Sequence, residues 1–158
     1  MFRELTRKKW QLTAEECLRI LKEEKRGVLS VIGDDGYPYG MPMNHWYNEE
    51  DGKLYFHCGK VGHRADALRR DPRVSFCVYD GGYRREGEWA LNIRSVIVFG
   101  TVEVVEDAER IAHATAMLSR KFTDDEAYIA REIAQYAANT ALLVLTPAHI
   151  CGKLVNEA

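Results

Sequence analysis

A short segment, YFHCGKVGHRADALRRDP at 55–72, holds side chains that could do three kinds of chemistry. His57, Cys58 and His63 are residue types that bind zinc, and Cys58 could also act as a thiol nucleophile. Arg64 follows a glycine turn at the start of a predicted helix, where an arginine and free backbone N–H groups can hold an anion together. Their spacing must decide between a metal site, a nucleophile and an anion site.

The strand pattern in KLYFHC weakens the first two interpretations. Alternation predicts that Leu54, Phe56 and Cys58 face one side of a strand while Tyr55 and His57 face the other. Neighbouring residues on opposite faces can hardly bind one metal ion. A thiol among core-type residues stays protonated and inert. The sequence therefore predicts no metal site and a structural role for Cys58.

The anion interpretation depends on the start of the helix. Gly59 and Gly62 loosen the turn, and helical spacing begins at about Val61, so His63 and Arg64 fall in the first turn. Basic residues complement the C-terminal end of a helix, which explains the later arginines of this segment but not Arg64. Taken alone, the segment still favours a solvated basic face over an anion site.

Composition restricts the class of protein. The chain has 158 residues with 22 basic and 24 acidic side chains, a net charge of -2, which predicts one domain over 1–158 and no global attraction for nucleic acid. No apolar run approaches the length of a membrane span, so we expect no membrane association and a cytoplasmic location. The four cysteines have no paired spacing and are expected to be reduced.

The remaining elements predict an antiparallel barrel with helical additions. Thr13 and Glu16 have capping-box spacing at the start of a predicted helix. Gly100 and Pro147 are expected to bend long strands. The predicted helices cover about 13–24, 61–70, 107–121 and 124–138, and the predicted strands are a hairpin within 27–47 and runs at about 53–58, 73–80, 93–106 and 140–155.

Three segments together resemble a known family: DDGYPYGMPMNHWY, LYFHCGKVGHRADALRRDPRVSFCV and IRSVIVFGTVEVVED. The sequence is similar to the flavin-binding split-barrel superfamily of pyridoxamine 5'-phosphate oxidase, above all to its nitroimidazole-reductase-like branch. The resemblance implies a mainly β fold with helices, a six-stranded antiparallel split β-barrel with peripheral helices. It also implies a homodimer with FMN in two clefts at the subunit interface.

The resemblance further implies which residues bind the cofactor. The backbone at Met43 and Asn44 would line the flavin ring, and the strand carrying Phe56 and Cys58 would pass beside the ring and ribityl chain. His57 matches a histidine close to the flavin. The implied cofactor-binding residues are Met43, Asn44, Phe56, His57, Cys58, Gly62, His63, Arg64 and Ser95, with His63 and Arg64 on the phosphate and Ser95 as a polar contact from a later strand.

The expected function is an FMN-dependent oxidoreductase. It would pass electrons from NADH or NADPH through FMN to a small acceptor such as a nitroaromatic, and His57 would donate a proton or hydrogen bond to that acceptor. The basic pocket for the substrate phosphate of the oxidase is not matched, which disfavours vitamin B6 chemistry. The alternative is a non-catalytic flavin- or haem-binding module, in which Trp46, Tyr47, Tyr83 and Trp89 close a cleft or simply pack.

Overall fold

One antiparallel sheet forms the centre of the molecule. The computed structural model describes residues 1–157, and the sheet has the strand order β2-β1-β5-β6-β7-β4-β3. The strands are β1 (Arg26–Ile32), β2 (Pro38–Asn44), β3 (Trp46–Asn48), β4 (Lys53–Gly59), β5 (Arg73–Tyr79), β6 (Asn92–Val105) and β7 (Thr140–Asn156); the helices are α1 (Ala14–Glu23), α2 (His63–Arg70), α3 (Ala108–Ser119) and α4 (Glu126–Tyr136).

The two longest strands make the sheet curl into a half-barrel. β6 pairs with β5 along its first part and with β7 along its whole length, while the first part of β7 also pairs with β4. The register shifts between Phe99 and Gly100, opposite Pro147, which confirms the predicted bend. β2 and β4 come into contact without pairing as strands, so the barrel is split between them. The predicted split-barrel class is confirmed.

The sheet has seven strands rather than the predicted six. The expected second strand of the hairpin ran through Tyr47, but it is interrupted at His45, and the residues after it form the short strand β3. The His45 N–H donates to the Lys25 carbonyl, and the ring nitrogen Nε2 donates to the Leu21 carbonyl at 2.7 Å. These bonds turn the chain out of β2, a local event that strand periodicity does not reveal.

The core lies on the inner face of the curled sheet. Phe56 and Phe76 are fully buried and pack edge to face with ring centroids 4.9 Å apart. Leu54 and Cys58 share that face, as predicted, while His57 lies on the outer face with exposed surface. Pro38 and Pro42 lie in β2, where the edge position tolerates the missing N–H groups.

All four predicted helices are present. Thr13 and Glu16 form the predicted capping box at α1, and Asp107 and Asp125 cap α3 and α4. α2 begins at His63, two residues later than the predicted start near Val61. No helix within residues 1–157 is long and apolar enough to cross a membrane.

Candidate functional site

The candidate site lies at the split in the barrel, where the start of α2 meets β2 and β4. Arg64 in the first turn of α2 reaches across to β2, where its Nη1 donates a hydrogen bond to the Met43 sulfur at 2.8 Å. The positive charge of Arg64 also lies close enough to affect the pKa values of His57 and Cys58 on β4. The fold thus brings together residues from three elements that the sequence analysis named separately.

Arg64 differs from the other arginines of α2 in having no acidic partner. Arg69 pairs with Asp66 at 3.1 Å, and Arg70 pairs with Asp34 at 2.7 Å. Within the described chain, 1–157, no carboxylate forms a salt bridge with Arg64, although its side chain is half-buried. A guanidinium that is partly removed from water and bonded to the Met43 thioether and the Cys58 thiol, both weak acceptors, retains most of its capacity to bind an anion.

The backbone at the start of α2 adds further donors. Gly62 precedes the helix at a φ of 117°, a conformation that other residues rarely adopt, and no side chain caps the turn. The first bond of the helix runs from the Asp66 N–H to the Gly62 carbonyl, so the N–H groups before Asp66 are left at the helix end. These donors and Arg64 lie in the same turn and favour an anion there.

His63 is already engaged by the β1–β2 hairpin. Its ring stacks on Tyr39 with centroids 4.3 Å apart, and its Nε2 lies 3.5 Å from a carboxylate oxygen of Asp34. Arg70 donates to the other oxygen of Asp34 and is the main cause of the lowered pKa of that carboxyl, with His63 contributing. Sequence reasoning missed Tyr39 and Asp34, because nothing local links a hairpin turn to a helix about thirty positions later.

His57 and Asn44 form the wall of a cavity beside the split. The cavity has a volume of about 330 Å³ and extends from these two residues to α3 and α4. Partial removal from water lowers the pKa of His57 below its ordinary value, and the nearby Arg64 lowers it further. His57 is therefore mostly neutral at pH 7 and can offer an N–H as a hydrogen-bond donor.

Three of the predicted cofactor residues turn their side chains into the core. Phe56 is fully buried, and Met43 and Cys58 are each 8% exposed. Burial raises the pKa of the Cys58 thiol despite the nearby Arg64, which keeps it protonated. Contact of these residues with a bound molecule is thus limited mainly to their backbone atoms, apart from the Met43 sulfur that accepts from Arg64.

Ser95 lies apart from the other predicted residues within one chain. It is half-buried on β6 and pairs with Lys153, whereas His57 pairs with Leu142, so the two positions are at opposite ends of β7. The Ser95 hydroxyl lies 3.5 Å from the Lys153 carbonyl. One protomer therefore does not bring Ser95 to the start of α2.

The aromatic residues considered for a cleft do not gather in one place. Tyr47 is buried in the core, and Trp46 on the other face of β3 packs against Tyr55. Tyr83 covers the Arg94 guanidinium, while Trp89 is 75% exposed in the loop before β6. These rings therefore do not line a common cleft within one chain.

The structure defines the state of the cysteines and the grouping of the potential metal ligands. The four cysteines are free thiols. Over residues 1–157, no three His, Cys, Asp or Glu side chains are grouped so as to hold a metal ion.

The sequence can be assigned to a protein family. The family model described as pyridoxamine 5'-phosphate oxidase matches residues 13–154, nearly the whole sequence. The protein belongs to this family. No curated protein sequence matches the chain.

Solved structures share the fold over almost the full length. A candidate 5-nitroimidazole antibiotic resistance protein from Bacteroides thetaiotaomicron is 22% identical, with a TM-score of 0.76 over 92% of this chain and 87% of that one. A conserved hypothetical protein from Mycobacterium tuberculosis is 24% identical, with a TM-score of 0.77 over 95% and 90%. An FAD-binding protein from Mesorhizobium loti is 25% identical, with a TM-score of 0.70 over 92% and 96%.

Proposed function

We propose that the protein is an FMN-dependent oxidoreductase that passes electrons from NADH or NADPH to a small acceptor, with a nitroaromatic among the candidates. The observation that carries the proposal is Arg64, a half-buried guanidinium without a carboxylate partner at the open start of α2. Family membership and the similarity to an FAD-binding protein support a flavin as the ligand.

The residues at the split fit the phosphate end of FMN. A phosphate monoester carries nearly two negative charges and three acceptor oxygens, which match the guanidinium fork of Arg64 and the N–H groups after Gly62. His63 would contribute a further donor only at the edge, because Tyr39 and Asp34 hold its ring. The Met43 sulfur already holds the Arg64 guanidinium beside β2 through a hydrogen bond from its Nη1, so its position does not depend on a ligand.

The protein would position the reaction, and the cofactor would supply the redox chemistry. FMN, when bound, would supply two-electron redox chemistry between a reduced nicotinamide and an acceptor. Asn44 and His57 lie on the wall between the split and the cavity, where they can orient a planar ring. Because the pKa of His57 is lowered, its role at neutral pH is hydrogen-bond donation to the acceptor.

We further propose that the protein acts as a homodimer with the flavin between subunits. Val28, Ile32 and Tyr79 are exposed large apolar residues on the outer face of β1 and β5. Exposed apolar patches of this kind favour association. Ser95 pairs with Tyr79 and therefore lies next to this face, where a second copy would cover it.

Titration of the purified protein with FMN, FAD and riboflavin tests the cofactor. We expect FMN to bind more tightly than riboflavin, which lacks the phosphate. Arg64→Ala should weaken the binding of FMN by roughly 10- to 100-fold, because charge-assisted hydrogen bonds to the phosphate are lost. The affinity for riboflavin should stay unchanged. Arg69→Ala is the matched control, because Arg69 is paired with Asp66. Equal binding of FMN and riboflavin by the unmodified protein would contradict the phosphate assignment.

Turnover separates the enzyme from the cofactor-binding module. With FMN bound, consumption of NADH or NADPH should depend on an added acceptor, and His57→Ala should slow it by roughly 100-fold, a common loss for a proton-transfer or hydrogen-bonding group. FMN affinity should fall less in this variant than in Arg64→Ala, because His57 lies beside the ring and not at the phosphate. A bound flavin or haem with no turnover would instead support the module, and normal turnover by His57→Ala would remove the role of His57.

A further inference from the structure

The cavity beside His57 has the form of a small-molecule site. We call it the helical cavity; the sheet supplies Asn44 and His57, α3 supplies Ile111 and Leu118, and α4 supplies Ile133. Its volume of about 330 Å³ lies at the small end of the range for ligand pockets, roughly 300–1,000 Å³. A cavity of about 150 Å³ is enough for benzene, so this volume accommodates a small ring compound but not a whole flavin or nucleotide.

The helical cavity contains a hydroxyl group without a hydrogen-bond partner. Thr115 lines the cavity from α3, and its Oγ1 atom is buried with no partner among residues 1–157. A buried polar atom left unpaired costs free energy, so such atoms usually mark a place where a ligand or water completes the bond. Ile111 and Leu118 supply an apolar wall on the same helix, and Ser119 is a second hydroxyl-bearing residue of α3 in the lining.

The charges around the helical cavity select against anions. Glu132 on α4 is its only acidic residue, and no lysine or arginine lines it. The neighbouring His57 is mostly neutral at pH 7 because its pKa is lowered. The helical cavity is thus electrostatically unlike the start of α2, where Arg64 lies, although His57 lies close to both.

We infer that the helical cavity binds an uncharged, single-ring aromatic molecule with a hydrogen-bonding oxygen, and that this molecule is the electron acceptor. The ring would pack between Ile111, Leu118 and Ile133. Its oxygen would pair with the His57 N–H, or with the Thr115 hydroxyl once that side chain rotates its buried Oγ1 toward the cavity. The role as acceptor rests on the proposed function, since it places the acceptor beside His57, which also lies near Arg64 at the flavin phosphate site.

Calorimetric titration of the protein with acetophenone tests the inference directly, and benzoate serves as the charged ligand of the same size. We expect acetophenone to bind and benzoate to bind at least roughly tenfold more weakly, since Glu132 opposes its charge. The measurement is made first without FMN, so that its result does not depend on turnover.

Two variants locate the binding. Ile133→Trp fills the helical cavity and should abolish acetophenone binding while FMN binding is retained; Ala134→Trp, at an exposed neighbouring position that does not line it, is the control. Thr115→Val preserves the shape of the side chain and should weaken acetophenone by roughly threefold to tenfold, as expected for one neutral hydrogen bond. Thermal unfolding checks that each variant is folded.

The outcomes separate this inference from the proposed function. Binding of FMN without acetophenone overturns the inference and leaves the proposed function intact. Loss of FMN together with acetophenone in Ile133→Trp also overturns it, because the helical cavity would then belong to the cofactor. Acetophenone binding without any flavin binding overturns the role of the ligand as an electron acceptor. Unchanged affinity in both Ile133→Trp and Thr115→Val places the ligand elsewhere and rejects the site.

Discussion

The first turns of α1 and α2 satisfy their backbone donors in opposite ways. At α1 the Thr13 hydroxyl accepts from the Glu16 N–H at 3.2 Å, and the Glu16 carboxylate accepts from the Thr13 N–H at 2.8 Å. At α2 the corresponding position is Gly62, which has no side chain, and no cap is present. One helix start is closed by its own residues, and the other is left open beside Arg64.

This difference indicates that the start of α1 has a structural role and the start of α2 a binding role. A side-chain cap contributes about 1 kcal/mol to stability, so an uncapped start with a basic residue in its first turn is locally unfavourable. Proteins tend to break such local rules at functional sites and to compensate elsewhere. α2 is compensated by the buried Ala65, Ala67 and Leu68 on its inner face. A bound anion would therefore stabilise the fold more at the open start of α2 than at the capped start of α1.

The largest effect should come from closing the start of α2. Gly62→Asp places a carboxylate at the position that caps α3 and α4, where it would occupy the free N–H groups and repel a phosphate. We expect FMN affinity to fall by roughly 100-fold, about 3 kcal/mol, from the combined loss of donors and the added charge. Fluorescence titration with FMN measures this change.

Gly62→Asn is the matched control for the added charge. Asn and Asp impose the same backbone strain at a φ of 117°, which costs about 1–3 kcal/mol for residues other than glycine. The difference between the two variants therefore reports the charge alone, and Asp should bind FMN at least roughly tenfold more weakly than Asn. Equal affinities would show that the phosphate does not approach this turn, and the comparison of α1 with α2 would lose its functional meaning.

Local patterns in the sequence were sufficient to predict most of the fold. The capping box at Thr13, the alternation that buries Phe56 and exposes His57, and the bend at Gly100 each depend on residues within a few positions of one another. Such features can be read from a single sequence. The family resemblance then supplied the closure of the strands into a split barrel.

Long-range pairings could not be predicted in this way. The interruption at His45 depends on a carbonyl of α1, and the position of His63 depends on Tyr39 and Asp34 in a hairpin. The helical cavity was missed as well, because the apolar positions of α3 and α4 have the same spacing as ordinary core positions. The assignment of residues to the cofactor stays a prediction.

The next largest effect should be on the pH dependence of stability, and it should come from His45, where α1 meets β3. His45 is fully buried, and burial, aided by the nearby Lys121, lowers its pKa from 6.5 to about 4. Between these values the unfolded chain binds a proton that the native ring does not, so stability is present above pH 6.5 and is lost as the pH falls toward 4. Urea unfolding without added flavin should show a loss of about 2 kcal/mol from this residue between pH 8 and pH 5.

His45→Gln isolates that contribution. Glutamine retains an N–H donor for the Leu21 carbonyl but does not titrate, and His57, whose pKa is also lowered, is present in both proteins. The variant should therefore lose less stability than the unmodified protein over the same pH interval. Parallel pH dependences would mean that His45 is not buried in its neutral form.

The smallest effect should come from opening the start of α1. Thr13→Ala removes the capping box and should lower the free energy of unfolding by about 1 kcal/mol, whereas Thr13→Ser should preserve it. FMN affinity should be unchanged in both, because the cap pairs only groups within α1. If Thr13→Ala lowered the affinity for FMN as much as the Gly62 variants do, the two helix starts would not differ in function. A stability loss confined to Thr13→Ala, with FMN binding affected only at Gly62, would instead separate a helix start that holds the fold from one that holds a ligand.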